Sequence, residues 1–168
     1  MSDFDQRLAR LEARAEIETL MQDYALAADD KYHAAKAKKP QALIDQAAAR
    51  QAACFTPTAV WHGGKFGGDL HGRAAIEGFF RNSPWQFTAH HYGSAHIRIE
   101  GAQAFARWRL LELGIREADG ALVLMSGDVS QELALLPEEG WRIASMVFDR
   151  LHSVALSADP ESLKLLIP

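Results

Sequence analysis

The chain has a single cysteine, Cys54, in 168 residues, so no internal disulfide can form. Set between Ala53 and Phe55, that cysteine reads as a small buried hydrophobe rather than a nucleophile. No run approaches the roughly 18 apolar residues of a membrane span, and the opening MSDFDQRLAR has no apolar signal core. Positive charge is short: 18 Lys and Arg stand against 22 Asp and Glu, a formal charge of −4. That balance excludes a basic field for nucleic acid or an anionic membrane. The one basic stretch, Lys31 to Lys39, is Ala-rich and reads as a solvated helix end. No internal repeat and no low-complexity linker divides the chain. The histidines lack the His/His/carboxylate spacing of a catalytic zinc site, so neither metal nor cofactor is expected. The expectation is a single domain over residues 1–168, cytoplasmic by default.

What is present is a run of helices followed by long strands. Residues 3 to about 31 carry the longest helical pattern, with Ser2 or Asp3 able to cap it and acidic residues in its first turn. Apolar positions recur at Phe4, Leu8 and Leu11, then at Ile17, Leu20, Met21, Tyr24 and Ala28. The register slips near Arg14, so the first part packs separately or extends outward. KYHAAKAKK continues this helix or follows it, and Pro40 starts a second helix over Gln41 to Cys54.

Beyond Phe55, TAVWHGG and KFGGDLHG read as two short strands around a tight turn, and GRAAIEGFFRN as an amphipathic helix. Strands are expected at about 86–100, 103–116, 121–136 and 140–153, joined by EGAQ, EADG and PEEG turns. ADPESLKLLIP is a short helix or tail. Helices first and hairpin strands after give an α+β domain. A sheet of such long strands must curl, leaving a pocket between its concave face and the helices.

The stretch FTAHHYGSAHIRIEG sets two histidines side by side, and strand alternation allows only one inside. Phe87, Ala89, His91, Gly93, Ala95, Ile97 and Ile99 share one face. Thr88, His90, Tyr92, Ser94, His96, Arg98 and Glu100 share the other. The first face is apolar apart from His91, which assigns His91 and Phe87 to the pocket and His90 to solvent or a subunit contact. A bulge at Gly93 would break the alternation beyond it. A lone histidine on an apolar face is as a rule a hydrogen-bonded core residue; a buried carboxylate partner changes that.

Asp29 and Asp30 end the first helix. Asp29 lies about 105° from the centre of the apolar stripe and Asp30 roughly 155°. Asp29 therefore leans into the pocket and Asp30 faces water. An aspartate that accepts the Nδ1 hydrogen of histidine fixes its tautomer and makes Nε2 a stronger base. Tyr24, on the inward stripe, either packs as a core tyrosine or donates its phenol hydrogen to a substrate oxygen.

RAEIETLMQDYALAADDK, FTPTAVW, HGRAAIEGFF, HHYGSAHIRIEG and GWRIASMVFDR together resemble the SnoaL-like branch of the nuclear-transport-factor-two-like superfamily. That branch includes scytalone dehydratase, bile-acid 7α-dehydratase and hexachlorocyclohexane dehydrochlorinase. The resemblance spans about residues 5–153. It implies a cone-shaped curled sheet on about three helices, a cystatin-like α+β barrel. It also implies an Asp–His dyad formed by Asp29 and His91, with Tyr24 at a catalytic position and Trp61 lining the pocket. Where several of these lyases place an arginine on the last strand, this chain has Met146, with Arg150 further on. A pocket methionine cannot stabilise a departing anion.

The expected function is a cofactor-independent lyase or isomerase, dehydratase-like, acting on an apolar cyclic or aromatic substrate. The alternatives are a non-catalytic binding or assembly module on the same fold, and a polyketide-type cyclase. Tyr92, Trp108 and Leu110, expected on the outer sheet face, point to a homodimer or homotrimer contact.

Overall fold

The computed structural model describes residues 2–64 and 68–156. The expected turn at 65–67 and the C-terminal ADPESLKLLIP lie outside the described residues.

Among the described residues three helices are followed or interleaved by eight strands: α1 (Asp3–Asp29), β1 (Tyr32–His33), β2 (Ala37–Lys38), α2 (Gln41–Ala53), β3 (Phe55–His62), β4 (Asp69–His71), α3 (Arg73–Arg81), β5 (Trp85–Glu100), β6 (Gln103–Arg116), β7 (Leu122–Leu136) and β8 (Gly140–Leu156). Ser2 caps α1 in a reciprocal box. Its Oγ accepts from the Asp5 amide at 3.1 Å, and its own amide donates to Asp5 Oδ2 at 2.9 Å. The apolar stripe of α1 divides as its register slip implies. Ile17, Leu20, Met21 and Tyr24 are buried, whereas Phe4, Leu8 and Leu11 are exposed, so the first turns project beyond the sheet. No described helix is long and apolar enough to cross a membrane.

The segment after α1 does not prolong the helix. It folds back as the small ribbon β1–β2, with Tyr32 opposite Lys38. Nor is the basic stretch uniformly solvated. Lys31 is buried, while Lys38 and Lys39 are half-buried and pair with Glu117 and Asp30. The lysine charges are drawn inward by acceptors that lie far away in sequence.

The main sheet has the order β4-β3-β8-β7-β6-β5. Its pairs are antiparallel except β3 with β8, so it is mixed. β4 and β5 are separate edges, and the expected barrel is a curled open sheet. The core between sheet and helices centres on Phe55, Ile17, Ile76, Ile143, Met146 and Val129. Cys54 belongs to it as expected. Its thiol faces the Leu20 and Arg50 carbonyls, and burial pushes it up to about 12. Arg73, at the start of α3, donates to the Phe55 carbonyl (2.7 Å) and to Glu139 (2.7 Å), tying that helix to β3 and the β7–β8 turn.

Two facing expectations fail for one reason. Along β5, Thr88, His90 and Tyr92 turn toward the helices and His91 is exposed; beyond Ser94, Ala95, Ile97 and Ile99 turn inward instead. A register shift between Gly93 and His96, with Ser94 at φ 52°, inserts the extra residue that reverses the alternation. Reading one unbroken face through residues 87–99 carries the phase of the isoleucines back onto the wrong histidine. Likewise Trp108 and Leu110 are buried on the inner face. The outer face carries Leu111, Leu113, Leu124 and Val154, aligned across β6, β7 and β8. Phe87 and Ala89 fall on that side, where apolar character signals the outer patch rather than the core.

Candidate active site

A cavity opens between the end of α1, α3 and the inner faces of β5–β8. Its walls include Tyr24, Trp61, Phe79, Phe80, Leu110 and Phe148. Lys31, His90 and Glu112 are the ionisable groups set among them, beside the two phenols Tyr24 and Tyr32. The cavity volume is about 80 Å³. Trp61 packs against the tilted ring of Phe79 at 5.0 Å and meets Phe148 edge-on at 5.5 Å, which fixes the apolar wall.

Asp29, the last residue of α1, receives three hydrogen bonds from β5. Thr88 Oγ1 donates at 2.9 Å, the His90 amide at 2.8 Å and His90 Nδ1 at 2.7 Å. The carboxylate therefore fixes His90 with its hydrogen on Nδ1, which leaves Nε2 turned the other way. There Nε2 stands 3.4 Å from Glu112 Oε2 on β6. The pairing follows from register, since His90 is directly opposite Glu112. The ring is thus held between two carboxylates.

Burial pulls the His90 pKa down, but the charges of Glu112 and Asp29 outweigh it and the net direction is upward. Burial raises Glu112; His90 and Lys31 oppose this, and Asp29 adds to it. Burial lowers Lys31 to about 8, against the pull of Asp29 and Glu112. With Asp29 ionised and Lys31 protonated, one proton shared between His90 and Glu112 leaves the cluster neutral. Low-dielectric surroundings favour that sum.

Of the residues expected from sequence, Asp29, Tyr24 and Trp61 come to this site. The facing assigned to His91 is corrected: it is exposed on the outer side, and His90 meets Asp29. Phe87 is off the cavity and packs on Tyr32 at 6.1 Å. Met146 is fully buried in the core, not in the cavity wall. Asp30 faces solvent as expected, bound to Lys39 and Arg50. Lys31 and Glu112 were missed. Glu112 was legible: it is a charge on the inward period of β6, between Leu110 and Gly114. Among the described residues no group of His, Cys, Asp and Glu side chains has the arrangement of a metal site.

The SnoaL-like domain family matches residues 9–147. The chain belongs to this family. No curated protein sequence matches it. Solved structures share the fold at low identity. A hexachlorocyclohexane dehydrochlorinase from Novosphingobium barchaimii LL02 is 17% identical with a TM-score of 0.68, over 89% of this chain and 94% of that one. A provisionally assigned scytalone dehydratase from Novosphingobium aromaticivorans DSM 12444 is 16% identical with a TM-score of 0.69, over 92% and 93%. A nuclear transport factor 2-like superfamily protein from Salmonella enterica serovar Typhimurium is 16% identical with a TM-score of 0.63, over 89% and 95%.

Proposed function

We propose that this SnoaL-like protein is a cofactor-independent lyase or isomerase whose proton-transfer groups are His90 and Glu112, with Asp29 positioning His90. The observation that carries this reading is the buried imidazole held at Nδ1 by Asp29 and faced at Nε2 by Glu112. Elimination of water needs a base for a carbon-bound hydrogen and an acid for the leaving hydroxyl. In the form with neutral His90 and protonated Glu112 the pair supplies both. Nε2 takes the proton from carbon, the C–H electron pair becomes the new double bond, and the leaving hydroxyl departs as water with the Glu112 proton. Imidazolium and carboxylate then exchange one proton across their 3.4 Å gap and the site is reset. Without a leaving group, the same proton returned to another carbon shifts a double bond.

The substrate is compact and mainly apolar. Apolar and aromatic side chains form most of the wall, and a cavity of about 80 Å³ holds only a handful of waters. The outer patch of Leu111, Leu113, Leu124 and Val154 is the surface for a homodimer or homotrimer.

A test independent of the natural substrate is deuterium wash-in. A panel of small cyclic ketones incubated in D2O should exchange hydrogen α to the carbonyl faster with protein than without. His90→Ala should cut that acceleration by about 10²–10⁴-fold, the usual share of general acid–base catalysis. Exchange by His90→Ala within tenfold of the native chain would remove the base from the mechanism.

A further inference from the structure

We infer that the Lys31 ammonium is the anion anchor of this cavity, so that the ligand class is a compact carbonyl or enol compound whose negative oxygen sits against Nζ. This rests on the reading of the cavity as an active site but concerns a different group, with a different chemical task.

Lys31 is 4% exposed, which is rare for lysine. Buried lysines of structural purpose are normally ion-paired. This one is not: its Nζ donates to two neutral carbonyl oxygens, Gln51 Oε1 at 3.0 Å and the Phe80 carbonyl at 3.4 Å. Among the described residues no carboxylate lies within ion-pair distance of it. An ammonium has three donors; beyond these two oxygens Nζ meets only the Phe80 ring face, 5.4 Å from its centroid, so one donor has no oxygen or nitrogen acceptor. Trp61 Nε1, buried in the same cavity's wall, also has no acceptor among the described residues. A mainly apolar cavity thus holds a cation that no carboxylate touches and an unmatched N–H.

Placement follows from the chain. Lys31 comes two residues after Asp29, just past the helix end. Asp29 reaches His90 at one side, while Lys31 reaches α2 and α3 at another. Base and cation therefore line one space from separate walls. When His90 takes a proton from the carbon next to a carbonyl, that C–H pair forms the C=C bond and the carbonyl π pair moves to oxygen. The resulting oxyanion needs a donor that is charged and preorganised. Tyr24, the donor expected from sequence, is a weaker fit, because burial raises its phenol pKa well above the usual value.

The groups facing Lys31 are Asp29 of its own segment, Glu112 of β6 and Lys38 of β2. Burial and Lys38 disfavour its proton, and the two carboxylates retain it. The anchor therefore keeps its charge at neutral pH and loses it as pH rises through about 8.

The test uses 4-nitrophenol, whose phenolate absorbs in the visible and mimics an enolate. The native chain should bind it as phenolate, and binding should weaken above about pH 8. Lys31→Met, checked for a native thermal melt, should lose at least tenfold in phenolate affinity, and Lys31→Arg should restore most of it. His90→Ala should keep phenolate binding while losing deuterium exchange. Phenolate binding that Lys31→Met leaves within twofold, or that the native chain lacks, overturns the anchor. Should Lys31→Met fail to fold, the pH dependence of the native chain and the Lys31→Arg variant decide. If the native chain catalyses no exchange yet binds phenolate through Lys31, the proposed reaction fails and the anchor stands. If His90→Ala abolishes exchange while Lys31→Met leaves exchange and binding intact, the anchor alone fails.

Discussion

His90 Nδ1 lies 2.7 Å from Asp29 Oδ1, and the adjacent His91 stands on the opposite side of the same strand, exposed. A residue shift of one separates a group inside the cavity from one in solvent. His91→Ala should therefore leave deuterium exchange within about twofold, while His90→Ala loses about 10²–10⁴-fold. Equal losses from the two variants would contradict the observed facing.

Asp29→Asn should keep the fold but cost catalysis heavily. The single amide oxygen can accept either from Thr88 and His90 Nδ1 or from the His90 amide, not from both sides, and it no longer carries the charge that holds that tautomer. A loss of about 10²-fold or more is expected, with the melting temperature shifted by only a few degrees. Ring-nitrogen NMR shifts of His90 would report the tautomer directly.

Lys31 should cost the protein stability at neutral pH. Its folded pKa of about 8 lies below the ordinary 10.5, so the unfolded chain binds more proton between those values. Its contribution therefore rises as pH climbs from about 8 to 10.5 and is least favourable below 8. The penalty is about 3 kcal/mol at 1.4 kcal/mol per pKa unit. Lys31→Met removes it but strands two carbonyl acceptors at about 1 kcal/mol each, for a net gain on the order of 1 kcal/mol at pH 7. Urea denaturation at pH 7 and pH 10 measures this; the variant should lose the alkaline increase.

Glu112 should act in the reverse sense. A carboxyl whose folded pKa is raised holds its proton more tightly when folded, so its stability contribution is present below 4.5 and is lost as pH rises through the folded value. His90, also raised, behaves alike from 6.5 upward. Glu112→Gln should flatten the decline between pH 4.5 and neutrality and reduce elimination more than simple isotope exchange, because it removes the acid and leaves the base. A steeper decline in the variant would reverse the assignment of the pair.

Gly63→Ala should damage the cavity from outside it. A methyl group there would collide with the Trp61 ring and lie 2.5 Å from the Gly68 carbonyl oxygen. A cost of about 1–3 kcal/mol is expected, together with a change in Trp61 fluorescence.

Most of the architecture was legible because each element carried a local signal. The four long strands fell within a few residues of their observed ends, and the α2 start at Pro40 and the α1 cap at Ser2 were where proline and serine chemistry put them. Asp29 and Tyr24 were legible from helical rotation, since α1 runs unbroken to its last turn. What escaped was long-range. The choice between His90 and His91 depended on a bulge at Gly93–Ser94, whose effect runs upstream as well as downstream when the apolar half of the strand is used to set the phase. The outward apolar patch made Phe87 and Ala89 misleading. Lys31 looked like one solvated charge among several because its acceptors, Gln51 and Phe80, lie 20 and 49 residues away.

The doubled histidine on an edge strand has a consequence for how this site tolerates change. Loss of one residue between the start of β5 and His90 swaps the two sides of the ribbon. With His90 and His91 in tandem, either phase still delivers an imidazole to the interior, opposite the end of α1. Small length changes that would empty most strand-borne sites here exchange one ring for its neighbour.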